Sequence, residues 1–283
     1  MRGLAALLSL VGCLGASTFG SRSIVAATPW VDTHVLHFNV GTPLARWALP
    51  PTLREVSGLA VTRDGHVIAH NDEDGRLVEI DHRSGAVTRQ WTLGSPRLRG
   101  DFEGVDVADT TVTVMRSDGH LFSGRLPDGG GPIVIDRRVS PSRAAGCEFE
   151  GLAWSRAVGW LMPCKRTTHG TNRSMFRIQT IPSDADAATS WITYSTTRGP
   201  TRMRPSSVTT VQTGQGEVLI VAFGPEHAIG AFTLDGTTLA LYAWPASRHP
   251  QPEGVAVDGD RLLVADEGAG QRPGVLTVYG RAR

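Results

Sequence analysis

Little in this chain favours helix. After the first 30 residues no long run repeats its apolar positions at helical spacing, while 33 glycines and 17 prolines break the sequence into short apolar runs between turn residues. Charge of one sign is also lacking. There are 28 Lys and Arg against 27 Asp and Glu, a formal net charge of +1, and no basic stripe is interleaved with aromatics, so the electrostatic ground for expecting nucleic acid is absent. Only 3 cysteines occur, none in a CxxC pair, which removes a thiolate zinc site of the usual spacing. The N-terminal apolar run is too short to span a membrane, and no other stretch could. No serine sits in a GxSxG elbow, and Ser57, Ser206 and Ser207 do not assemble a Ser-His-Asp set. Asp72-Glu73-Asp74-Gly75 lacks EF-hand spacing, and no helix follows Gly129-Gly130-Gly131. What is present is 283 residues, 40% hydrophobic, enough for a sizeable core built from strands. The chain is expected to be all-β.

The N-terminal stretch reads as a targeting segment. Arg2 supplies a positive start, Leu4 to Ala16 an apolar core of about 13 residues, and Val25-Ala26-Ala27 a small-residue cleavage site. This divides the chain into a signal peptide, residues 1–27, and a domain, residues 28–283. A second reading takes Leu10-Val11-Gly12-Cys13 as a lipobox, making Cys13 the anchor of a lipoprotein. Both place the mature protein outside the cytoplasm, periplasmic or secreted, with no transmembrane segment. Export changes the meaning of Cys147 and Cys164. The segment between them reads as a hairpin turning at Ser155 to Gly159, which sets the two cysteines nearly opposite each other. An oxidising compartment favours a disulfide there; the alternative is two buried free thiols.

A repeat decides the fold. Asp101-Phe102-Glu103-Gly104-Val105 returns as Glu148-Phe149-Glu150-Gly151-Leu152 and Gln251-Pro252-Glu253-Gly254-Val255, with looser copies at Glu55-Val56-Ser57-Gly58 and Pro205-Ser206-Ser207. Gly58, Gly104, Gly151, Ser207 and Gly254 are separated by 46, 47, 56 and 47 residues, the length of a four-stranded propeller blade. Each unit parses into an inner strand, two middle strands and an outer one. The fifth lacks its outer strand, and Leu44 to Leu49 can supply it, closing the ring by pairing the two chain ends. Five blades are expected. A six-bladed ring would require Val31 to Val40 to make much of a blade alone, and a β-sandwich would leave the period unexplained.

The polar residues collect on one rim of such a ring. In a propeller the first strand of each blade lines the channel, and its start lies beside the end of the second, antiparallel strand. Glu103, Glu150 and Glu253 sit at first-strand starts, with Glu55, Asp101, Glu148 and Gln251 two residues earlier. His70, Asn71, Asp72, Arg116, Lys165, Glu226, His227 and Glu267 sit at second-strand ends. Several carboxylates on one small rim cannot all stay ionised without compensation. Either calcium, which takes oxygen ligands in irregular geometry, sits among them, or some are protonated, or cations such as Arg116 and Lys165 pair with them. A purely structural role, in which each glutamate caps the neighbouring blade, is the competing reading.

Taken together, Glu-Val-Ser-Gly-Leu-Ala at 55–60, His-Asn-Asp at 70–72, Asp-Phe-Glu-Gly at 101–104, Glu-Phe-Glu-Gly-Leu-Ala at 148–153, Pro-Ser-Ser at 205–207 and Pro-Glu-Gly-Val-Ala at 252–256 resemble the SdiA-regulated (YjiK-like) β-propeller proteins. More distantly they are similar to the calcium-dependent phosphotriesterase and lactonase propellers. The resemblance implies an exported bacterial protein and a metal at the channel mouth. Carried onto this chain the metal falls on Glu103, Glu150 and Glu253, with Asn71 as a neutral ligand. The implied activity is metal-assisted hydrolysis of esters, lactones or phosphoesters, with His70 and Asp72 as the catalytic candidates and Glu55, Arg116, Lys165, Glu226 and Glu267 completing the mouth. The alternative is a non-catalytic propeller whose mouth recognises a small molecule, a glycan or a protein. The fourth unit departs from the pattern, with Ser206 where the others carry glutamate.

Overall fold

The computed structural model describes residues 35–140, 147–166, 175–182, 190–195 and 202–282. The predicted signal peptide, Cys13 and its lipobox lie outside them. Strand β1 (Phe38–Ala48) comes first. The first blade is β2 (Val56–Val61), β3 (Val67–Asn71), β4 (Arg76–Asp81) and β5 (Ala86–Leu93). The second is β6 (Phe102–Ala108), β7 (Thr111–Arg116), β8 (Leu121–Arg125) and β10 (Ile135–Val139), with β9 (Gly131–Ile133) between the last two. The third contains β11 (Glu148–Phe149), β12 (Ala153–Ser155), β13 (Gly159–Arg166), β14 (Met175–Ile181) and β15 (Ser190–Ser195). The fourth is β16 (Ser207–Thr213), β17 (Gly216–Phe223), β18 (Ala228–Thr233) and β19 (Thr238–Ala243); the fifth is β20 (Pro252–Asp258), β21 (Arg261–Asp266) and β22 (Val275–Arg281), closed by β1. This is a five-bladed β-propeller. The inner strands touch in the cyclic order β2, β6, β12, β16, β20 and back to β2. No helix among the described residues is long and apolar enough to cross a membrane.

The near-continuous apolar runs follow from burial on both faces of the middle strands. In β21, Leu262 and Val264 face the fourth blade while Leu263 and Ala265 face the first. Five apolar clusters result, one per seam between neighbouring blades, and every described blade contributes to two of them. Burying such a side chain contributes roughly 1.5–3 kcal/mol, so ring cohesion resides in these seams.

Three elements differ from expectation. The closing strand pairs with β22 from Phe38↔Arg281 to Ala48↔Val275, longer than Leu44 to Leu49, because two register shifts near Pro43 let the chain continue past the proline. The second blade's outer segment splits. Its first part, β9, leaves for the first blade and runs parallel to β5, and only β10 pairs with β8. Gly124 permits the close approach of the link between β9 and β10, since a Cβ there would stand 2.3 Å from the Val134 carbonyl. The third blade's inner strand is interrupted between Phe149 and Ala153, where Gly151 takes φ +85°. Cys147 and Cys164 form the disulfide, with Cα atoms 5.6 Å apart across the expected hairpin.

Candidate functional site

The repeated motif has two physical components. In β2, β6 and β20 the ladder to the second strand slips by one residue at the same place, between Val56 and Gly58, Phe102 and Gly104, and Pro252 and Gly254. Ser57, Glu103 and Glu253 are the extra residues of these bulges, which re-aim a side chain that regular pleating would have committed. The glycine that follows serves close approach of backbones. A Cβ on Gly104 would stand 2.7 Å from the Leu152 nitrogen, and one on Gly151 would stand 2.7 Å from the Ser207 Cα. The Gly151 N–H also donates to the Glu103 carbonyl at 2.5 Å. The marks are where the inner strands close on one another, and the glutamates lie at that constriction.

Three carboxyls and one ammonium meet there. Lys165, at the end of β13, donates through Nζ to Glu150 Oε1 at 2.8 Å. It is the only lysine in the chain. Its charge is felt by Glu103 and Glu253 as well as by Glu150. Burial alone would lower the Lys165 pKa; the charges of Glu150, Glu253 and Glu103 outweigh it and hold the ammonium above its ordinary value. Burial pushes the Glu253 carboxyl up to about 8, against the pull of Lys165. Burial, then the charges of Glu150 and Asp101, push Glu103 far above the carboxylate range. Glu150 is raised by burial too, although Lys165 and a hydrogen bond with Glu103 oppose the rise. One ammonium thus faces three carboxyls, of which Glu103 keeps its proton most firmly and Glu150 lies on the cation.

A second acidic group borders the first. Asp72 is raised by burial and by the charges of Glu55, Glu73 and Asp101, and Glu267 is raised by burial and by Asp72 and Glu55. Asp72 Oδ1 is buried with no hydrogen-bond partner among the described residues. Glu55 pairs at 3.6 Å with Arg54, and Glu267 accepts from the Gln251 side chain. Lys165 also acts on Glu267, so the two groups share one mouth.

Other predicted residues have different partners. His70 is fully buried. Burial pushes its pKa down to about 4, so the ring is neutral and Nδ1–H donates to the Asn71 carbonyl at 2.9 Å. Its Nε2 lies against Gly58, where a Cβ would stand 2.4 Å away, and has no hydrogen-bond partner among the described residues. Asn71 Oδ1 accepts from the Asp74 N–H at 3.3 Å. Arg116 is held by Asp118, with Nε to Oδ1 at 3.2 Å. Glu226 holds Arg204, with Nε to Oε1 at 2.8 Å. Ser206, the serine at a glutamate position, donates to the Pro252 carbonyl at 2.6 Å and accepts from the Gly224 N–H, stitching the fourth blade to the fifth. What sequence reasoning passed over was the rank of Lys165. Its uniqueness in the chain was the available signal.

The predicted calcium ligands fit a resident ion poorly. Among the described residues no three His, Cys, Asp or Glu side chains are grouped so as to hold a metal. The position a cation would take beside Glu150 is filled by Lys165 Nζ, and Asn71 Oδ1 already accepts a backbone hydrogen bond. A lysine ammonium and a calcium ion within the same three carboxylates would repel each other. Chemically, the mouth offers a proton donor in Glu103, an acceptor in Glu150 and a fixed positive charge in Lys165.

No family model and no curated protein matches the sequence. Solved structures do match in shape. The glutaminyl cyclase of Myxococcus xanthus is 15% identical over 86% of this chain and 97% of its own, with a TM-score of 0.58. The PQQ-bound aldose sugar dehydrogenase of Streptomyces coelicolor is 13% identical over 84% of this chain and 97% of its own, with a TM-score of 0.53. At these identities the likeness is one of fold, and the chain is by its architecture a β-propeller.

Proposed function

We propose that the channel mouth is a metal-independent acid–base site acting on small esters or lactones, in an exported bacterial propeller of the SdiA-regulated (YjiK-like) type. The observation that carries this reading is the 2.8 Å contact between Lys165 and Glu150 amid carboxyls that burial holds near or above neutral pKa. Glu150 as carboxylate takes a proton from water while the water oxygen bonds to the acyl carbon. Lys165 offsets the negative charge that develops on the carbonyl oxygen. As the acyl–oxygen bond breaks, the proton of Glu103 passes to the leaving alkoxide, and the hydrogen bond between Glu103 and Glu150 returns a proton to Glu103. The atoms balance: one water is consumed, and an acid and an alcohol are released.

The test uses the mature chain with p-nitrophenyl acetate and a six-membered lactone in the presence of chelator. The expected result is turnover unchanged by chelator, lowered about 10²-fold or more by Glu150→Gln, a range typical for loss of a general base. Absence of turnover in the unmodified protein, or turnover only with calcium, contradicts it. A second reading, a non-catalytic mouth that binds a small molecule or glycan, is supported by one observation: Glu150 is only 2% exposed, so a ligand meets Glu55, Asp72 and Glu267 first. Export is supported by the disulfide, since such bonds persist in oxidising compartments. Mass measurement of the cell-associated and secreted protein separates cleavage after Ala27 from lipid attachment at Cys13.

A further inference from the structure

On the second blade lies a cavity of about 360 Å³. Three arginines line it: Arg99 from the loop between β5 and β6, Arg116 from the end of β7, and Arg138 from β10. None of the described residues that line it is acidic. The carboxylate nearest to these charges in bonding terms is Asp118, which takes Arg116 through Nε at 3.2 Å and also meets His120 Nδ1 at 2.9 Å. Among the described residues, three guanidinium groups stand against one bonded carboxylate, an excess of two positive charges. The guanidinium carbons of Arg116 and Arg138 lie 6.0 and 5.6 Å from the centroid of one ring, Phe122, which fixes both cations by cation–π contact. Phe122 and Leu98 give the same cavity an apolar floor.

We propose that this cavity binds a phosphate monoester with an apolar body. A dianion matches the excess charge, planar guanidinium groups suit the oxygens of a phosphate, and the Phe122 and Leu98 floor suits an aryl or acyl substituent rather than a free inorganic anion. The same chemistry is offered by a soluble ester and by a lipid headgroup.

Binding is measured by calorimetry on the full mature chain with phenyl phosphate and with inorganic phosphate, and by sedimentation with vesicles of phosphatidic acid in phosphatidylcholine. Phenyl phosphate is expected to bind at least about tenfold more tightly than inorganic phosphate. The double substitution Arg99→Gln/Arg138→Gln removes two exposed side chains and spares the Arg116–Asp118 pair; it is expected to weaken phenyl phosphate about tenfold or more without lowering Tm. The control Arg281→Gln, an exposed arginine elsewhere, leaves binding unchanged. Vesicle binding that phenyl phosphate displaces assigns the lipid headgroup as the source, and binding of the soluble ester alone assigns a free one. Phenyl phosphate that binds no better than inorganic phosphate, or equal binding by the double variant, overturns the proposal.

Discussion

Lys165 is the residue on which the mouth turns. Removing it leaves Glu150 buried beside Glu103 without a counter-charge, so Glu150 must take up a proton. Lys165→Met is therefore expected to cost about 3–5 kcal/mol at pH 8, the range for breaking a buried pair, and clearly less at pH 5, where Glu150 is already protonated. Urea unfolding at the two pH values measures the difference. Glu253 gives a second test. Its folded pKa of about 8 lies above the ordinary 4.5, so the folded protein holds a proton that the unfolded chain releases. That contribution is full below about pH 4.5 and is lost as the pH rises through about 8. Glu253→Gln needs no proton, so its Tm relative to the unmodified protein is expected to rise between pH 5 and 9; a constant difference would show that Glu253 is not held protonated. These relations were only partly legible in the sequence. Glu103, Glu150 and Glu253 stood out by repetition, and three ways of compensating them were open. Lys165 occurs once, and repetition cannot rank a residue that does not repeat.

Among the elements, the inner strands carry the design. A glycine at equal intervals announces a repeat, but the pattern of one strand does not record the one-residue slip against its partner that places Glu103 and Glu253 at the bulge. The sequence therefore showed which residues begin the strands and hid why they reach the channel. The same holds for β9. Its departure to the first blade depends on Gly124 leaving room for the Val134 carbonyl where β9 gives way to β10, a relation between two strands that neither strand's pattern records. Gly151→Ala puts a Cβ 2.7 Å from the Ser207 Cα at a residue with φ +85°, and is expected to destabilise by about 3 kcal/mol or more. Gly129→Ala, with nothing within 4 Å of its Cβ, is expected to change stability by less than about 0.5 kcal/mol. Chemical denaturation of the two variants checks the contrast, and equal costs would remove close strand approach as the reason for the repeated glycine.

For the whole molecule, the period of the repeat and the incomplete fifth unit were enough to foresee five blades closed by an N-terminal strand, because ring closure leaves few other uses for an unpaired β22 edge. The chemistry of the mouth was not foreseeable to the same degree, since a ring of carboxylates suits calcium, protons or an ammonium equally well until distances are known. With Lys165 as the resident cation, 5 mM calcium is expected to shift Tm by less than about 1 °C, because a ligand stabilises only the fold it binds; a rise of several degrees would point to calcium at this mouth. The central claim is tested most directly by observing Lys165 itself. Being the only lysine, it gives a single side-chain amine resonance in protein labelled at lysine and free of lysine-bearing tags. The account predicts that this resonance titrates above the ordinary lysine value, returns toward that value in Glu150→Gln, and does not move with calcium. A resonance that titrates as a free lysine in both proteins, or that shifts when calcium is added, would contradict it.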